Sequence, residues 1–359
     1  MLAYILVVIF PLFVEGWYKK KIAINNLPLD GEKNKKVRWR YIFLAALPMF
    51  FLIAFRNQSI GADTGMYINH FNRMVNTPWS KILNKATMEE GYLIFVKLIT
   101  VFTDNPLIYQ VICATIYLFA ITSFTNQQEE NHFLVLFLFG TLGMYTFMFT
   151  GVRQCLAISI CLFSYQFIKK RKIVPFAILM FVAFYFHKSS ILFVTAYLIY
   201  PRKLSFWNAL IYAAIMIIAV LYLDIIQQWF NEQLEYDYEI ESGAGGVIFT
   251  ILIVAMTAFA IFVTVSNRAV TKNSQGLINI GLIATLFWIL RIFTRVAERP
   301  SYYFLICVFV AFSHSISTLK DPKEKDIVKI LVVVFALALF VYRLMTNQTS
   351  FVPYTFFDF

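Results

Sequence analysis

A single arginine stands in the middle of a long apolar stretch of this chain. In "MYTFMFTGVRQCLAISICLF", residues 144 to 163, Arg153 is the only charged residue, and no other charge occurs between Phe133 and Ile168. A guanidinium at the centre of a bilayer costs on the order of 2.5 to 3.5 kcal/mol even on insertion scales. Either the side chain reaches out to the interface, or its planar fork of N–H donors pairs with a carboxylate or phosphate.

Other short polar segments carry side chains that can bind an anion or move a proton. "FYFHKSSILF" holds His187, whose imidazole titrates near neutral pH and suits a general base, although an interfacial histidine also serves as an ordinary hydrogen-bonded residue. "RIFTRVAERPSYYF" concentrates arginines around Glu298, and "FRNQSIGADTGMYINHF" and "EEGY" add carboxylates. The candidate anion-binding residues are Arg56, Arg153, Arg291, Arg295 and Arg299, and the candidate bases are His187 first, then Asp63 or Glu90.

The composition indicates what must position these residues. Hydrophobic residues make up 60% of the chain, charged residues only 14%, and the mean hydropathy is +0.70. Apolar runs of roughly 20 residues, enough to cross about 30 Å of hydrocarbon, recur from end to end. We expect an all-α polytopic membrane protein with about 11 to 13 transmembrane or re-entrant helices. Residues 1–359 then form one integral membrane domain with no soluble domain.

The apolar runs set the expected spans. The first run lacks a basic start and a cleavage site, which favours a retained anchor over a signal peptide. Residues 91–104 are too few to cross upright, so we expect a re-entrant or tilted segment there. The predicted spans are 2–17, 39–55, 106–124, 132–150, 152–168, 173–187, 190–201, 206–224, 246–266, 277–293, 301–318 and 328–345.

The basic residues orient the chain. The net charge of +11 sits in short loops such as "KKK" at 19–21, "KKRK" at 169–172 and "KDPKEKDIVK" at 320–329. This pattern follows the positive-inside rule and does not resemble a nucleic-acid-binding face. The segments expected to face outward are 56–90, 186–190, 225–243, 292–300 and the tail after Met345, which places all the candidate residues on one side.

The first outward loop, residues 56–90, is expected to contain an interfacial helix. Gly61 marks a turn, Asp63 and Thr64 can cap the helix that follows, and apolar residues from Tyr67 onward recur at helical spacing. A cap and a surface helix would explain these residues without any ligand.

The second outward loop, 225–243, is acidic and includes Tyr236 and Tyr238, and solvation explains it better than sugar contact. The cysteines Cys113, Cys155, Cys161 and Cys307 lack disulfide or zinc spacing and are expected to be packing residues.

Arginines at the surface of a membrane can bind an anion that is attached to a lipid, and a polyprenyl diphosphate is such an anion. Sequence motifs make this inference more specific. The segments "FRNQSIGADTGMYINHF", "EEGYLIFVKLI", "GVRQCLAISICLFSYQFIKKRK", "FYFHKSSILF", "ERPSYYF" and "VPYTFF" follow one another along nearly the whole chain. In this order they resemble the EpsG-type, Wzy-like polysaccharide polymerases. The valine before Pro353 departs from the family pattern, so no catalytic role is carried onto Pro353 or Tyr354. The matched positions are Arg56, Gly61, Asp63, Thr64, Tyr67, Glu90, Arg153, Gln154, His187, Ser189, Arg299 and Tyr303.

The resemblance implies the joining of undecaprenyl diphosphate-linked repeat units on the outer face of the bacterial cytoplasmic membrane. The arginines would hold the diphosphate, His187 would accept the proton, and Tyr67, Gln154, Ser189 and Tyr303 would contact sugars or support the site. No cofactor, metal or nucleotide sugar is expected, since the lipid-linked donor is already activated. The implied partners are the lipid-linked donor and acceptor, membrane lipid and a chain-length regulator, and no nucleic acid.

Other functions stay open at this stage. An outer-face glycan ligase or a glycosyltransferase using a lipid-linked sugar shares the donor chemistry and could use the same arginines. A flippase or transporter of lipid-linked oligosaccharide would also bind the diphosphate. Transporters usually show internal repeats or charges lining a midplane path. No repeat is found here and the charges gather on one face, which favours an enzyme.

Overall fold

A computed structural model describes residues 1–25, 32–84, 88–128, 131–203, 205–222, 246–346 and 351–357. These residues are almost entirely helical, and across them the only β-type pairing is an isolated antiparallel bridge between Arg56 and Phe356. The expected all-α polytopic architecture is confirmed. The predicted loop 225–243, with Tyr236 and Tyr238, lies outside the described residues.

The α-helices include both long apolar segments and short connecting ones. Among the described residues, three 3₁₀ segments lie between them, Trp79–Lys81, Lys188–Phe193 and Arg295–Ala297. The α-helices are α1 Leu2–Ile24, α2 Glu32–Ala54, α3 Thr64–Asn76, α4 Glu90–Thr100, α5 Pro106–Asn126, α6 His132–Thr141, α7 Met144–Phe147, α8 Val152–Lys169, α9 Ile173–Phe186, α10 Val194–Ile199, α11 Phe206–Leu221, α12 Val247–Ser266, α13 Lys272–Leu290, α14 Glu298–Ser317 and α15 Pro322–Thr346.

Within the described part of the chain, seven helices are long and apolar enough to cross a membrane. Helix α4 has 11 residues, so at 1.5 Å per residue it is about 16 Å long and shorter than the hydrocarbon layer. That length fits the tilted or re-entrant segment expected at 91–104. The seven candidate spans are Leu2–Ile24, Lys33–Ala54, Pro106–Asn126, Val247–Ser266, Lys272–Leu290, Arg295–Ser317 and Pro322–Thr346.

The chain folds into two compact units. Unit 1 contains Met1–Phe163, Tyr185–His187 and Val328–Phe359, and unit 2 contains Ser164–Phe184 and Lys188–Ile327.

In unit 1, helix α1 packs against α2 and α6, α2 packs against α5, and α3 packs against α4. An ion pair fastens α1 to α15, because the Lys329 ammonium lies 2.6 Å from the Glu15 carboxylate. Lys97 of α4 is buried and donates to the Met74 carbonyl at 2.9 Å, at the C-terminal end of α3 where the helix dipole favours a cation. These contacts fix the short helices α3 and α4 to each other.

In unit 2, helices α12, α13 and α14 pack against one another. Nearly all of α14 is buried, and the backbone of Val308 comes so close to α13 that a Cβ on Gly281 would lie 3.3 Å from the Val308 nitrogen. Asn279 of α13 donates to the Arg202 carbonyl at 2.6 Å and to the Ile199 carbonyl at 3.1 Å, which holds the segment after α10.

The predicted continuous span 132–150 is wrong. Helix α6 ends at Thr141, Gly143 adopts φ +90°, and α7 makes a single turn before the chain reaches Gly151. A Cβ on Gly151 would lie 2.4 Å from the Phe147 ring, so glycine lets that ring close over the start of α8. The break is what brings Arg153 to the first turn of α8.

Gly61 offers a direct test of this packing. Its φ is +85°, and an added Cβ would lie 2.2 Å from the Phe149 carbonyl oxygen. We expect Gly61→Ala to destabilise the protein by about 2 kcal/mol or more, because strain in the left-handed region adds to the clash. The measurement is the melting temperature of the protein in detergent.

Gly65→Ala is the matched control, because its Cβ would meet nothing closer than the Gln58 carbonyl at 3.4 Å. Alanine also favours the helical conformation at that position. Equal melting temperatures for Gly61→Ala and Gly65→Ala would contradict the expected close approach of Gly61 to Phe149.

Candidate functional site

The loop before α3 is fastened to the segment that leads into α8. The Thr64 hydroxyl accepts a hydrogen bond from Arg56 Nε at 2.9 Å and donates to the Phe149 carbonyl at 3.2 Å. Asp63 occupies the N-cap position of α3, as predicted, but its side chain makes no capping hydrogen bond. The hydroxyl of Thr64 therefore joins two chain segments.

Arg56 lies inside the protein. It is 2% exposed, donates to Thr64 and to the Ile53 carbonyl, and its guanidinium lies 5.3 Å from the centre of the Phe149 ring. The backbone of the same residue pairs with Phe356 of the C-terminal segment. Arg56 was predicted to hold a diphosphate, and in the structure its guanidinium joins the first loop to α2 while its backbone pairs with the tail.

A carboxylate joins Arg153 to His187. Glu89 is the N-cap residue of α4, and one of its oxygens accepts a hydrogen bond from the guanidinium of Arg153. Its other oxygen lies 2.8 Å from Nδ1 of His187. The exposed fractions of the three side chains are 7% for Glu89, 6% for His187 and 18% for Arg153. We call this set of three side chains the Glu89 bridge.

Close helix packing positions the Glu89 bridge. His187 is the residue directly after α9, and Tyr185 approaches α4 so closely that a Cβ on Gly91 would lie 2.7 Å from the Tyr185 carbonyl oxygen. The rings of Phe95 and Phe186 pack 5.5 Å apart beside this contact. The glycine of "EEGY" therefore allows the start of α4 to meet the end of α9.

The electrostatics of the bridge define its protonation. Burial by itself raises the pKa of Glu89, but the hydrogen bond and charge of His187 and the charge of Arg153 overcome it and hold that pKa at about 2. Glu89 is therefore ionised at neutral pH. Because an ionised carboxylate only accepts hydrogen bonds, Nδ1 of His187 carries a proton, and in the neutral ring the basic lone pair lies on Nε2.

The buried face of α3 lies next to Arg153. Burial raises the pKa of the Tyr67 hydroxyl, and the charge of Arg153 and a hydrogen bond from it act in the opposite direction. The His70 ring stacks on Tyr92 with 6.0 Å between centroids. Burial, together with the charges of Arg73 and Arg153, lowers the pKa of His70 to about 4, so His70 is neutral at pH 7. Tyr67 supports the guanidinium of Arg153 from inside the protein.

The structure brings together some of the predicted residues of unit 1 and separates others. Arg153, His187 and Tyr67 gather around Glu89, whereas the predicted carboxylate of this segment is the neighbouring Glu90. Glu90 is exposed at the first position of α4. Asp63 is half-buried at the start of α3, and Gln154 is buried directly after Arg153.

Two hydrogen-bonded groups contain predicted residues of unit 2. Arg291 Nε donates to Glu298 at 2.8 Å, and the Tyr302 hydroxyl donates to the other oxygen of Glu298 at 2.9 Å. The hydroxyls of Ser189 and Tyr303 are 3.1 Å apart and buried. Arg295 is exposed and Arg299 is half-buried, so these two guanidiniums lie nearer to solvent than Arg291, which is 7% exposed.

The low pKa of Glu89 predicts an acid-sensitive contribution to stability. Its pKa is about 2 in the folded protein and 4.5 in the unfolded chain. The contribution is therefore full above pH 4.5, shrinks as the pH falls below 4.5, and is gone below about pH 2. A shift of this size corresponds to on the order of 3 kcal/mol. The measurement is the melting temperature of wild type and Glu89→Gln in detergent between pH 7 and pH 3. A difference between them that stays constant over this range would contradict the assignment.

Comparison with known proteins assigns the chain to a family. No curated protein and no solved structure matches it. The model of the EpsG family matches residues 39–356, which include the Glu89 bridge and the arginines Arg291, Arg295 and Arg299 of unit 2. The chain therefore belongs to the EpsG family, a Wzy-like family of polysaccharide polymerases.

Proposed function

We propose that this protein polymerises oligosaccharide repeat units carried on undecaprenyl diphosphate, at the outer face of the bacterial cytoplasmic membrane. The observation that carries the proposal is the Glu89 bridge, which places a basic imidazole and a guanidinium on the two oxygens of one buried carboxylate. Family membership supports polymerisation in general, and the distribution of basic residues along the chain supports the outward orientation.

The reaction is a glycosyl transfer between two lipid-linked substrates. A hydroxyl of the acceptor repeat unit attacks the anomeric carbon of the donor chain, and a new glycosidic C–O bond forms. The bond between that carbon and the diphosphate oxygen breaks, and the diphosphate leaves with the electron pair. The proton of the attacking hydroxyl goes to Nε2 of His187. Glu89 fixes the tautomer and orientation of the ring and stabilises the imidazolium that forms.

Arg153 stabilises the negative charge that develops on the departing diphosphate. A guanidinium fork matches phosphate oxygens, and this side chain is partly shielded from water, which strengthens the attraction. A diphosphate carries more negative charge than the single carboxylate of Glu89 and competes with it for Arg153. Tyr67 holds the guanidinium from the buried side. Arg295 and Arg299 of unit 2 are proposed to bind substrate diphosphate, with Ser189 and Tyr303 as supporting residues.

The first experiment removes the arginine. Purified protein in liposomes receives polyprenyl diphosphate-linked repeat units as the sole substrate, without nucleotide sugar, and products are resolved on a gel. Wild type should give a ladder, and Arg153→Ala should lower the rate by about 10² to 10³, the usual effect of removing a donor to developing negative charge. Arg153→Lys should recover only part of the rate, because an ammonium lacks the fork.

The outcomes of this experiment separate the alternatives. A single transfer in place of a ladder would indicate a ligase or a one-sugar glycosyltransferase. Movement of the lipid-linked substrate across the bilayer without any new glycosidic bond would indicate a flippase. A ladder unaffected by Arg153→Ala would keep the polymerase and reject the proposed role of Arg153.

The second experiment tests the base. His187→Ala should lower the polymerisation rate by about 10² to 10⁴, the usual contribution of a general base. Glu89→Gln should also lower it strongly, because a neutral amide neither fixes the tautomer nor stabilises the imidazolium. Glu90→Gln is the matched control, since it makes the same change on the adjacent exposed residue and should leave the rate within about threefold of wild type. Near-normal polymerisation by His187→Ala together with loss in Asp63→Asn would reject His187 and favour the carboxylate as base.

A further inference from the structure

The face of α3 that points away from the Glu89 bridge lines an open groove. The groove has a volume of about 1120 Å³ and is lined by Met66, Asn69, Asn72, Arg73, Asn76 and Thr77. All six residues belong to α3 or follow it directly, and they are exposed or half-exposed. Neither the ion pairs nor the aromatic contacts described above involve them.

Three asparagines dominate this groove. Asn69, Asn72 and Asn76 are spaced three and four residues apart, which places them side by side on one helix face. Within the part of the chain that the structure describes, none of the three amide groups hydrogen-bonds to the protein. We call these three side chains the asparagine face.

Three asparagines are unfavourable on a helix face whose only role is exposure to solvent. Asparagine is a poorer helix former than lysine, glutamate or alanine, because its short amide competes for backbone hydrogen bonds. Helix α3 has only 13 residues, so it has little intrinsic stability to spare. A solvated face would be filled more favourably by long charged side chains, and three asparagines there indicate a ligand.

The chemistry of the groove selects the ligand. Each amide offers two N–H donors and one carbonyl acceptor, and a sugar hydroxyl both donates and accepts, so it complements either end. Binding of anionic lipid headgroups uses clusters of four to eight basic residues, whereas Arg73 is the only cation among the described residues that line the groove. Enclosed apolar pockets suit compact small molecules, and this groove is open and polar. The match is to an extended chain of sugars.

We propose that the groove on the asparagine face of α3 binds several consecutive sugar residues of the glycan that is being extended. This proposal rests on the proposed polymerase function and adds a subsite for the glycan. The same helix carries Tyr67 on its buried face, against Arg153. A glycan held on the outer side of α3 is thus anchored to the helix that supports the reacting centre.

The test is a binding measurement that does not depend on catalysis. Oligosaccharides of several repeat units are prepared independently of this protein, by partial acid hydrolysis of the polysaccharide of the source bacterium. They are labelled at the reducing end and titrated with detergent-solubilised protein by fluorescence anisotropy. The Asn69→Ala/Asn72→Ala/Asn76→Ala variant should bind these oligomers at least about tenfold more weakly than wild type. In liposomes its ladder should be shorter, and the KM for an oligomeric substrate should rise by a similar factor.

Asn84→Ala is the matched control, because it removes an exposed amide from the same outward segment but outside the groove. It should keep wild-type oligomer affinity and ladder length. Loss of folding does not explain the expected effect, because alanine favours the helix at all three positions, and the melting temperature should not fall.

The outcomes distinguish this proposal from the proposed function. Failure of wild type to bind the oligosaccharides, or equal binding by wild type and the triple variant, would overturn the glycan groove whatever the ladder shows. Asparagine-dependent binding without any ladder would support the groove and reject the polymerase. Binding of anionic lipid vesicles in place of the oligomers would assign the face to the membrane and overturn the proposal.

Discussion

The structure of unit 1 depends on one buried carboxylate with two cationic or proton-donating partners. Glu89, Arg153 and His187 come from the start of α4, the first turn of α8 and the end of α9, which are far apart in the chain. Burying a carboxylate that is only 7% exposed costs free energy unless both of its oxygens accept hydrogen bonds. The three chain segments must therefore come together around Glu89. The close approach of Tyr185 to Gly91 and the break between α6 and α8 are the geometric conditions for that meeting.

Much of the fold could be predicted from composition and spacing, but the break could not. Apolar runs of spanning length predicted the long helices, and the turn at Gly61 followed by helical spacing predicted α3. The apolar composition of residues 132–150 does not reveal the helix break, because apolar side chains suit the lipid environment whether the helix continues or ends. The chain can stop there because the protein supplies partners for the broken backbone, such as the Tyr117 hydroxyl that donates to the Met144 carbonyl at 2.9 Å.

Only part of the candidate site could be predicted from the sequence, because apolar residues do not mark the buried side of a membrane helix. A lone arginine in an apolar run and a histidine at a helix tip pointed to Arg153 and His187, whereas nothing decided between Glu89 and Glu90. In α4 the residues that share a face with Glu90, Ile94 and Leu98, are exposed although they are apolar. Helical phase identifies the buried side of a helix in water, but in a membrane protein apolar residues occupy both sides.

Arg56 and Arg153 show that the partner of an arginine, more than its position, decides what it can do. Arg56 is surrounded by a hydroxyl, a carbonyl and an aromatic ring, which fix it in the fold. Arg153 instead shares a carboxylate with a titratable imidazole, so Glu89 and Arg153 together carry no net charge while His187 is neutral. Under the proposed reaction, the proton that His187 takes from the acceptor gives this cluster a net positive charge. That charge arises in the same step in which the diphosphate gains its negative charge, and the two changes stabilise each other.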